Sequence, residues 1–264
     1  VSVLQAVVLG VIQGLTEFLP VSSSGHLVLG QQLLHIDEPG VTFEVVVHLA
    51  TLTAVLWVYR RRVGELLEGI LRGRADAWRY AGLIILASVP AGLAGVFLRD
   101  LFEGAFDRPV LAAAMLLVTG CFVYTLRFTG PKAERPLPDA PRSLWIGLAQ
   151  AAAILPGISR SGATVAMGTW QGVEVVRMAE FSFLMSVPAI LGAGLLEADG
   201  LGQAASHGLA PLVAGFVTAA LAGVLAIRLF VRMLRTRTFH RFAWYCWAAG
   251  GTYLLATLVW PGLR

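Results

Sequence analysis

The chain has 264 residues, of which 14% are Asp, Glu, Lys or Arg and 57% are apolar, and its mean hydropathy is +0.74. A soluble domain carries about 25% charged residues to cover its core, so an ordinary cytosolic enzyme is excluded and lipid is the main solvent. The net charge of +4 does not point to nucleic acid, because the 20 basic residues form no dense stripe with interleaved aromatics and lie almost wholly between apolar segments.

The first region, residues 1–34, is apolar in bulk but broken in its middle by the polar run LPVSSSGH at 19–26. No charged leader precedes it, so no cleavable signal peptide is expected, and residue 1 is not methionine, so the numbering is expected to begin after a trimmed start. Pro20 ends the preceding helix, Gly25 permits a close approach, and the serines can cap a returning helix. Three apolar stretches of spanning length follow, at about 43–59, 80–98 and 110–127. Glu44 and His48, one turn apart, either line an outer entrance or sit at the interface.

A second region, 143–170, repeats the pattern, broken by LPGISRSG at 155–162, and three more apolar stretches follow at about 178–197, 210–230 and 243–260. Irregular backbone at membrane depth is tolerated only where protein encloses it or it lines a wet cavity. Both broken regions are therefore read as re-entrant helix hairpins that mark a site; two spanning helices with Pro kinks are the plainer alternative. Glu180 and Ser182 read as the polar start of a span, and Trp145, Trp170, Trp244 and Trp260 as interfacial anchors. Cys121 and Cys246 lie in apolar stretches and read as small buried side chains rather than a disulfide or metal pattern.

The fold expected is an all-α integral membrane protein, one membrane domain over 1–264, built of two inverted-topology repeats (1–128 and 143–264). Each is a re-entrant hairpin plus three transmembrane helices, six full spans in total. Three spans per half is odd, so the second half must insert upside down. Local similarity supports duplication: SVPA recurs at 88–91 and 186–189, and Gln13 precedes Pro20 as Gln150 precedes Pro156. The basic residues give an independent topology. With the loops at 60–79, 127–142, 169–177 and 228–242 on one side, that side holds 16 of the 20, including Lys132. The other, with loops at 35–42, 99–109 and 198–209 and the C-terminus, holds only Arg99, Arg108 and Arg264. The arginine-rich side is then cytoplasmic, and the first hairpin opens outward.

The remaining basic residue, Arg160, falls at the broken centre of the second hairpin, where a cation is costly without a partner or a bound anion. In the first hairpin Glu17 and His26 fall at equivalent depth, and Gln13 shares a helix face with Glu17 at i,i+4 spacing. If the hairpin tips meet, one pocket holds a carboxylate, an imidazole, a guanidinium and the hydroxyls of Ser22, Ser23, Ser24, Ser159, Ser161 and Thr164. Such a set suits phosphate chemistry. Arg160 offers a rigid donor fork for phosphate oxygens, helix-start N–H groups add donors, and His26 or Ser23 supplies a nucleophile or proton transfer. Glu17 can orient the histidine, act as base, or hold a divalent cation. A purely structural Glu17–Arg160 pair is the plainer alternative, and a transporter or flippase for an anionic lipid or small anion uses the same repeat plan.

At these residues the sequence resembles a known family. QGLTEFLPVSSSGHLVLG at 13–30, FEVVVHLATLTAVL at 43–56, LPGISRSGAT at 155–164 and RMAEFSFLMSVPAI at 177–190 are similar to the bacterial undecaprenyl-diphosphate phosphatases, also called the bacitracin resistance proteins. The resemblance runs through nearly the whole chain. It implies a multi-pass inner-membrane hydrolase that removes the terminal phosphate of undecaprenyl diphosphate and returns the monophosphate carrier to cell-wall synthesis. It implies catalytic Glu17, Ser23, His26 and Arg160, and phosphate binding by Arg160, Ser159, Ser161 and Ser22; the pocket reading adds Ser24 and Thr164 to the phosphate-binding hydroxyls. It also implies a divalent cation, Mg or Ca, at Glu17 and Gln13, and a site reached from the outer, periplasmic face. The family often has Glu where this chain has Gln13, which leaves one carboxylate in the motif. The partners implied are the lipid diphosphate and membrane lipid, with bacitracin connected only through the shared substrate; a homodimer is left open.

Overall fold

The computed structural model describes residues 1–34, 41–129, 134–196 and 208–260, and these are helical apart from turns and one parallel bridge between Arg135 and Val173. Helix α1 (Val3–Phe18) starts in a capping box, with Ser2 Oγ accepting from the Gln5 amide and Gln5 Oε1 from the Ser2 amide, and stops short of Pro20. The chain turns through Leu19–Ser22 and returns as α2 (Ser23–Leu34). In the second broken region α8 (Ala140–Ala152) turns through Ala153–Ser159 into α9 (Arg160–Trp170), whose first turn is capped by Ser159 Oγ accepting from the Gly162 amide at 3.1 Å. These four helices have 16, 12, 13 and 11 residues, short of the roughly 20 that a span needs. Both breaks therefore lie where the prolines and serines put them.

The longer apolar stretches form α3 (Val41–Val58), α5 (Ala75–Phe97), α7 (Pro109–Thr129), α10 (Val175–Leu196), α11 (Leu209–Arg235) and α12 (Phe242–Val259), the last preceded by a 3₁₀ turn at Phe239–Arg241. Among the described residues, α5, α7, α10 and α11 are long and apolar enough to cross a membrane. A fifth candidate arises if α3 is joined to α4 (Arg60–Leu71), which is bent from it by 78°. Helix α12 has the length, but its Trp, Tyr, Gly and Thr residues dilute its apolarity. The loops expected at 60–79 and 99–109 are corrected to helices in their larger part, α4 and α6 (Arg99–Phe106). Both are short and amphipathic, with Arg, Asp and Glu on one face and Leu, Ile or Phe on the other, the pattern of a helix lying along an interface. Lys132, Arg264 and most of the connections expected at 35–42 and 198–209 lie outside the described residues.

The first helix of each broken pair packs against a long helix of the other half: α1 lies on α11, and α8 lies on α5. Small residues allow this. A Cβ built on Gly14 would come within 2.7 Å of Ala222 Cβ and 2.9 Å of the Gly223 amide, and one on Gly147 within 2.9 Å of the Pro90 ring, so the backbones approach as small-residue crossings do in lipid. The core between these helices is aromatic, with Phe18–Phe183, Phe183–Phe230 and Phe230–Phe239 rings at 5.5, 5.1 and 4.9 Å. Outward, Phe97 is 77% and Leu221 67% exposed, a surface that water would not favour and acyl chains would. The four anchor tryptophans are likewise exposed near helix ends, and Trp170 Nε1 donates to Thr125 Oγ1 at 3.0 Å.

Candidate active site

The two turns meet. Ser22 Oγ accepts from the Gly157 amide at 3.1 Å and from the Gly25 amide at 3.2 Å, Ser161 Oγ donates to the Leu19 carbonyl at 3.3 Å, and a Cβ on Gly25 would stand 2.9 Å from Gly157 Cα. Gly25 is thus required by the approach of one hairpin backbone to the other. Ser22 itself has φ 65°, a left-handed conformation that disfavours a residue with a Cβ and that accompanies functional turns.

This junction brings Glu17 and Arg160 together. Arg160 Nη2 donates to Glu17 Oε1 at 2.5 Å and Nη1 to the Ser182 carbonyl at 3.3 Å, and the Arg160 and Glu17 side chains are 15% and 9% exposed. The other carboxylate oxygen, Oε2, accepts from Ser23 Oγ at 2.7 Å and from Gln13 Nε2 at 3.1 Å. Residues from α1, α2 and α9 therefore form one buried network around a single carboxylate. Ion pairs so buried carry a desolvation cost of several kcal/mol per ion, and here extra donors on the carboxylate and a carbonyl on the guanidinium offset it.

The remaining predicted residues fall into two roles. Ser24 Oγ lies 3.2 Å from Ser22 Oγ, and Ser159 Oγ 3.2 Å from Ser161 Oγ, so these hydroxyls brace the turns. Thr164 Oγ1 donates to the Arg160 carbonyl at 2.8 Å and lies 2.7 Å from Ser182 Oγ, within the α9–α10 contact. His26 stands at the edge of the network. Its Nδ1 is 2.8 Å from the Ser22 carbonyl, which can only accept, so Nδ1 carries the proton; Nε2 then accepts from the Tyr245 hydroxyl at 2.7 Å. The two rings stack at 5.6 Å.

Sequence reasoning missed several members of this site. Thr119 of α7 donates to the Gly157 carbonyl at 2.7 Å and accepts from the Ser159 amide at 2.9 Å, fixing the second turn from outside either hairpin. Ser182 and Tyr245 serve Arg160, Thr164 and His26 as described. His48, noted in the sequence for its spacing from Glu44, donates from Nδ1 to the Glu44 carbonyl at 2.8 Å. Glu180 is not a helix start, since α10 begins at Val175; it accepts from Arg62 Nε at 3.0 Å, and Arg62 stacks over Tyr80.

Among the described residues no three His, Cys, Asp or Glu side chains gather to hold a metal ion. Oxygen donors are nonetheless present: Gln13 Oε1 is buried without a hydrogen-bond partner beside the Glu17 carboxylate. An amide oxygen, a carboxylate and the Ser23 hydroxyl are the hard ligands that Mg and Ca prefer, so the residues fit such an ion, with Arg160 as a competing positive charge.

Known proteins match over almost the whole length. The model of the family described as bacitracin resistance protein BacA matches residues 6–252. An undecaprenyl-diphosphatase of Desulfosudis oleivorans is 41% identical over 277 residues, spanning 99% of both chains. Another, from Rubrobacter xylanophilus, is 41% identical over 260 residues, 93% of this chain and 94% of its own. A third, from Geobacter sulfurreducens, is 39% identical over 264 residues, 96% and 97% of the two chains.

Proposed function

The chain belongs to the bacitracin resistance protein BacA family, and from that premise we infer that it hydrolyses undecaprenyl diphosphate to undecaprenyl phosphate and inorganic phosphate. It is a multi-pass membrane enzyme that recycles the lipid carrier of cell-wall synthesis. The observation that carries the assignment of the site is the Gln13–Glu17–Ser23–Arg160 network at the junction of two helix breaks.

The chemistry follows from what each group can do. The lipid tail lies among the apolar helices and the diphosphate enters at the junction. Arg160 turns part of its fork from Glu17 to the phosphate oxygens, where a bidentate guanidinium suits the charge of the transferring group. Ser23 Oγ, already donating to Glu17 Oε2, attacks the terminal phosphorus and passes its proton to Glu17. The bond from that phosphorus to the bridging oxygen breaks, undecaprenyl phosphate leaves, and water then hydrolyses the phosphoserine to release inorganic phosphate. His26, one turn after Ser23 on α2, keeps Nε2 unprotonated for proton exchange with the substrate once the Tyr245 hydroxyl turns aside. Glu17 and Gln13 would hold a Mg or Ca ion, which when bound supplies positive charge to neutralise phosphate oxygens.

The finer topology belongs to the same reading. Two inverted repeats are supported by the reciprocal seating of α1 on α11 and α8 on α5, and re-entrant hairpins by the shortness of α1, α2, α8 and α9. The concentration of arginines on one face supports a cytoplasmic assignment for it and an outward-opening site.

The test is phosphate release from a polyprenyl diphosphate by purified protein in detergent, where no compartments exist and a transporter gives no signal. Phosphate release is expected, to be lost on chelation with EDTA and restored by Mg or Ca. Absence of release under every cation condition refutes the hydrolase. A Ser23→Ala protein with undiminished turnover would refute the nucleophile.

A further inference from the structure

Away from the Glu17 network, a cavity lies at the opposite end of α9. The ends of α7, α9 and α11, the start of α10 and the 3₁₀ turn enclose about 490 Å³, within the roughly 300–1,000 Å³ range of small-molecule sites. Its inner wall includes Thr169, nine residues beyond Arg160 and so about 13 Å further along the helix axis. This cavity shares no residue with the Glu17 network.

Three arginines line it, Arg127, Arg235 and Arg237, together with His240. None of the three has a carboxylate partner at ion-pair distance among the described residues; Arg127 Nη1 donates to the Tyr124 hydroxyl at 3.1 Å. The carboxylate on the wall, Glu174, is engaged in capping α10, accepting from the Val176 and Arg177 amides at 3.0 and 2.8 Å. With three guanidinium groups against one carboxylate the wall is net positive, and anions are its complement.

Two further observations point inward. Thr169 is 3% exposed and its Oγ1 has no hydrogen-bond partner, although a buried hydroxyl normally finds one. Arg237 has φ 55° at the end of α11, where its amide donates to the Leu234 carbonyl at 3.1 Å and the Thr238 amide to the Met233 carbonyl at 3.0 Å. Helices α4 and α9 end in the same arrangement of bonds, but with Gly73 (φ 69°) and Gly172 (φ 86°) in that place. Glycine is the residue this position favours, so the sequence keeps a strained arginine where its side chain borders the cavity. Leu126, Val175 and Phe239 complete an apolar wall.

We propose that this cavity binds the phosphate of an anionic membrane-lipid headgroup. The three guanidinium groups face its oxygens, the Thr169 hydroxyl donates from inside, and the acyl chains run along the apolar wall. Basic pockets between helix ends on the cytoplasmic side are suited to such headgroups. The choice of leaflet rests on the cytoplasmic assignment of the arginine-rich face; the binding does not.

The experiment uses purified full-length protein in detergent with short-chain phosphatidylglycerol, short-chain phosphatidylcholine and inorganic phosphate as probes, bound ligand being counted by native mass spectrometry. Phosphatidylglycerol is expected to bind at least about tenfold more tightly than either other probe. The Arg127→Gln/Arg235→Gln/Arg237→Gln protein should lose that preference, while Arg61→Gln/Arg72→Gln/Arg79→Gln, which removes equal charge from the same face, should stay within about twofold of the parent. Thr169→Val should weaken binding without unfolding. Arg237→Gly should raise the melting temperature while weakening binding, a combination that misfolding cannot produce. Equal losses in the two triple variants, phosphate binding as tight as the lipid, or unchanged affinity in Thr169→Val overturns the proposal. Phosphate release from the diphosphate is expected in every variant, so failure of lipid binding and failure of the hydrolase reading are separately visible.

Discussion

Arg160 and Glu17 are 143 positions apart, and each is the other's main compensation for burial. Truncating one leaves the other charged and unpaired at low dielectric, which costs about 3–5 kcal/mol. Arg160→Ala and Glu17→Gln should each lower thermal stability, and Arg160→Met combined with Glu17→Gln should recover much of the loss. Catalysis should not recover: Arg160→Ala should lower phosphate release by roughly 10²–10³-fold or more, the effect of losing a donor that stabilises transition-state charge. Turnover assayed beside melting temperature separates these outcomes, and undiminished turnover in folded Arg160→Ala would remove Arg160 from the mechanism. Glu17 and Arg160 were legible in the sequence because ionisable groups in apolar segments need a reason to be there, and Ser23 because a serine run breaks the first apolar region. Thr119 and Ser182 were not, because helical hydroxyls commonly satisfy themselves on their own backbone. Tyr245 was not singled out in the sequence: its bond to His26 spans 219 positions, a relation that no local pattern carries.

Helix breaks and helix crossings both follow from small or constrained residues. Pro20 and the glycine and serine runs made the two turns readable, as the length of the apolar stretches did α5, α7, α10 and α11. Helix α4 was less so, because three consecutive arginines read as a loop, while its apolar residues Val63, Leu66, Leu67 and Ile70 recur at helical spacing. The crossing of α1 on α11 depends on Gly14, whose Cα hydrogens face Ala222 and the Gly223 backbone. Gly14→Leu should force the helices apart and destabilise by about 1–3 kcal/mol, the usual range for overpacking. Glu17 lies less than one turn further along α1, so activity should fall more steeply than stability, whereas Gly82→Leu, where nothing lies within 4 Å of the added atom, should alter neither. Thermal unfolding and phosphate release on the same preparations test both variants; a Gly14→Leu protein as stable and active as the parent would sink this account of the crossing.

At the level of the whole molecule, the distribution of arginines predicts which face meets the cytoplasm. In a Cys121→Ser/Cys246→Ser background, Arg61→Cys should resist an impermeant maleimide in intact cells and react in inverted vesicles. Labelling from outside in intact cells would reverse the topology, and with it the side from which the lipid diphosphate reaches Glu17. The composition alone was enough to identify lipid as the surrounding solvent. The way in which the halves interlock was not readable, because small residues repeat throughout apolar sequence and do not specify which glycine meets which.

The seating of α1 on α11 also sets an order of assembly. The ribosome delivers α1 about 200 residues before the surface that covers it, so Glu17 must wait through most of synthesis without Arg160 and without its packing partner. Contacts so distant in sequence form late and slowly. During that interval the α1–α2 pair carries Glu17 without its compensating cation, an exposure that membrane chaperones and quality-control proteases are expected to sense. A chain truncated before α11 should therefore be cleared rather than persist as a half-enzyme, so the last helices to emerge act as the licence for the first to stay.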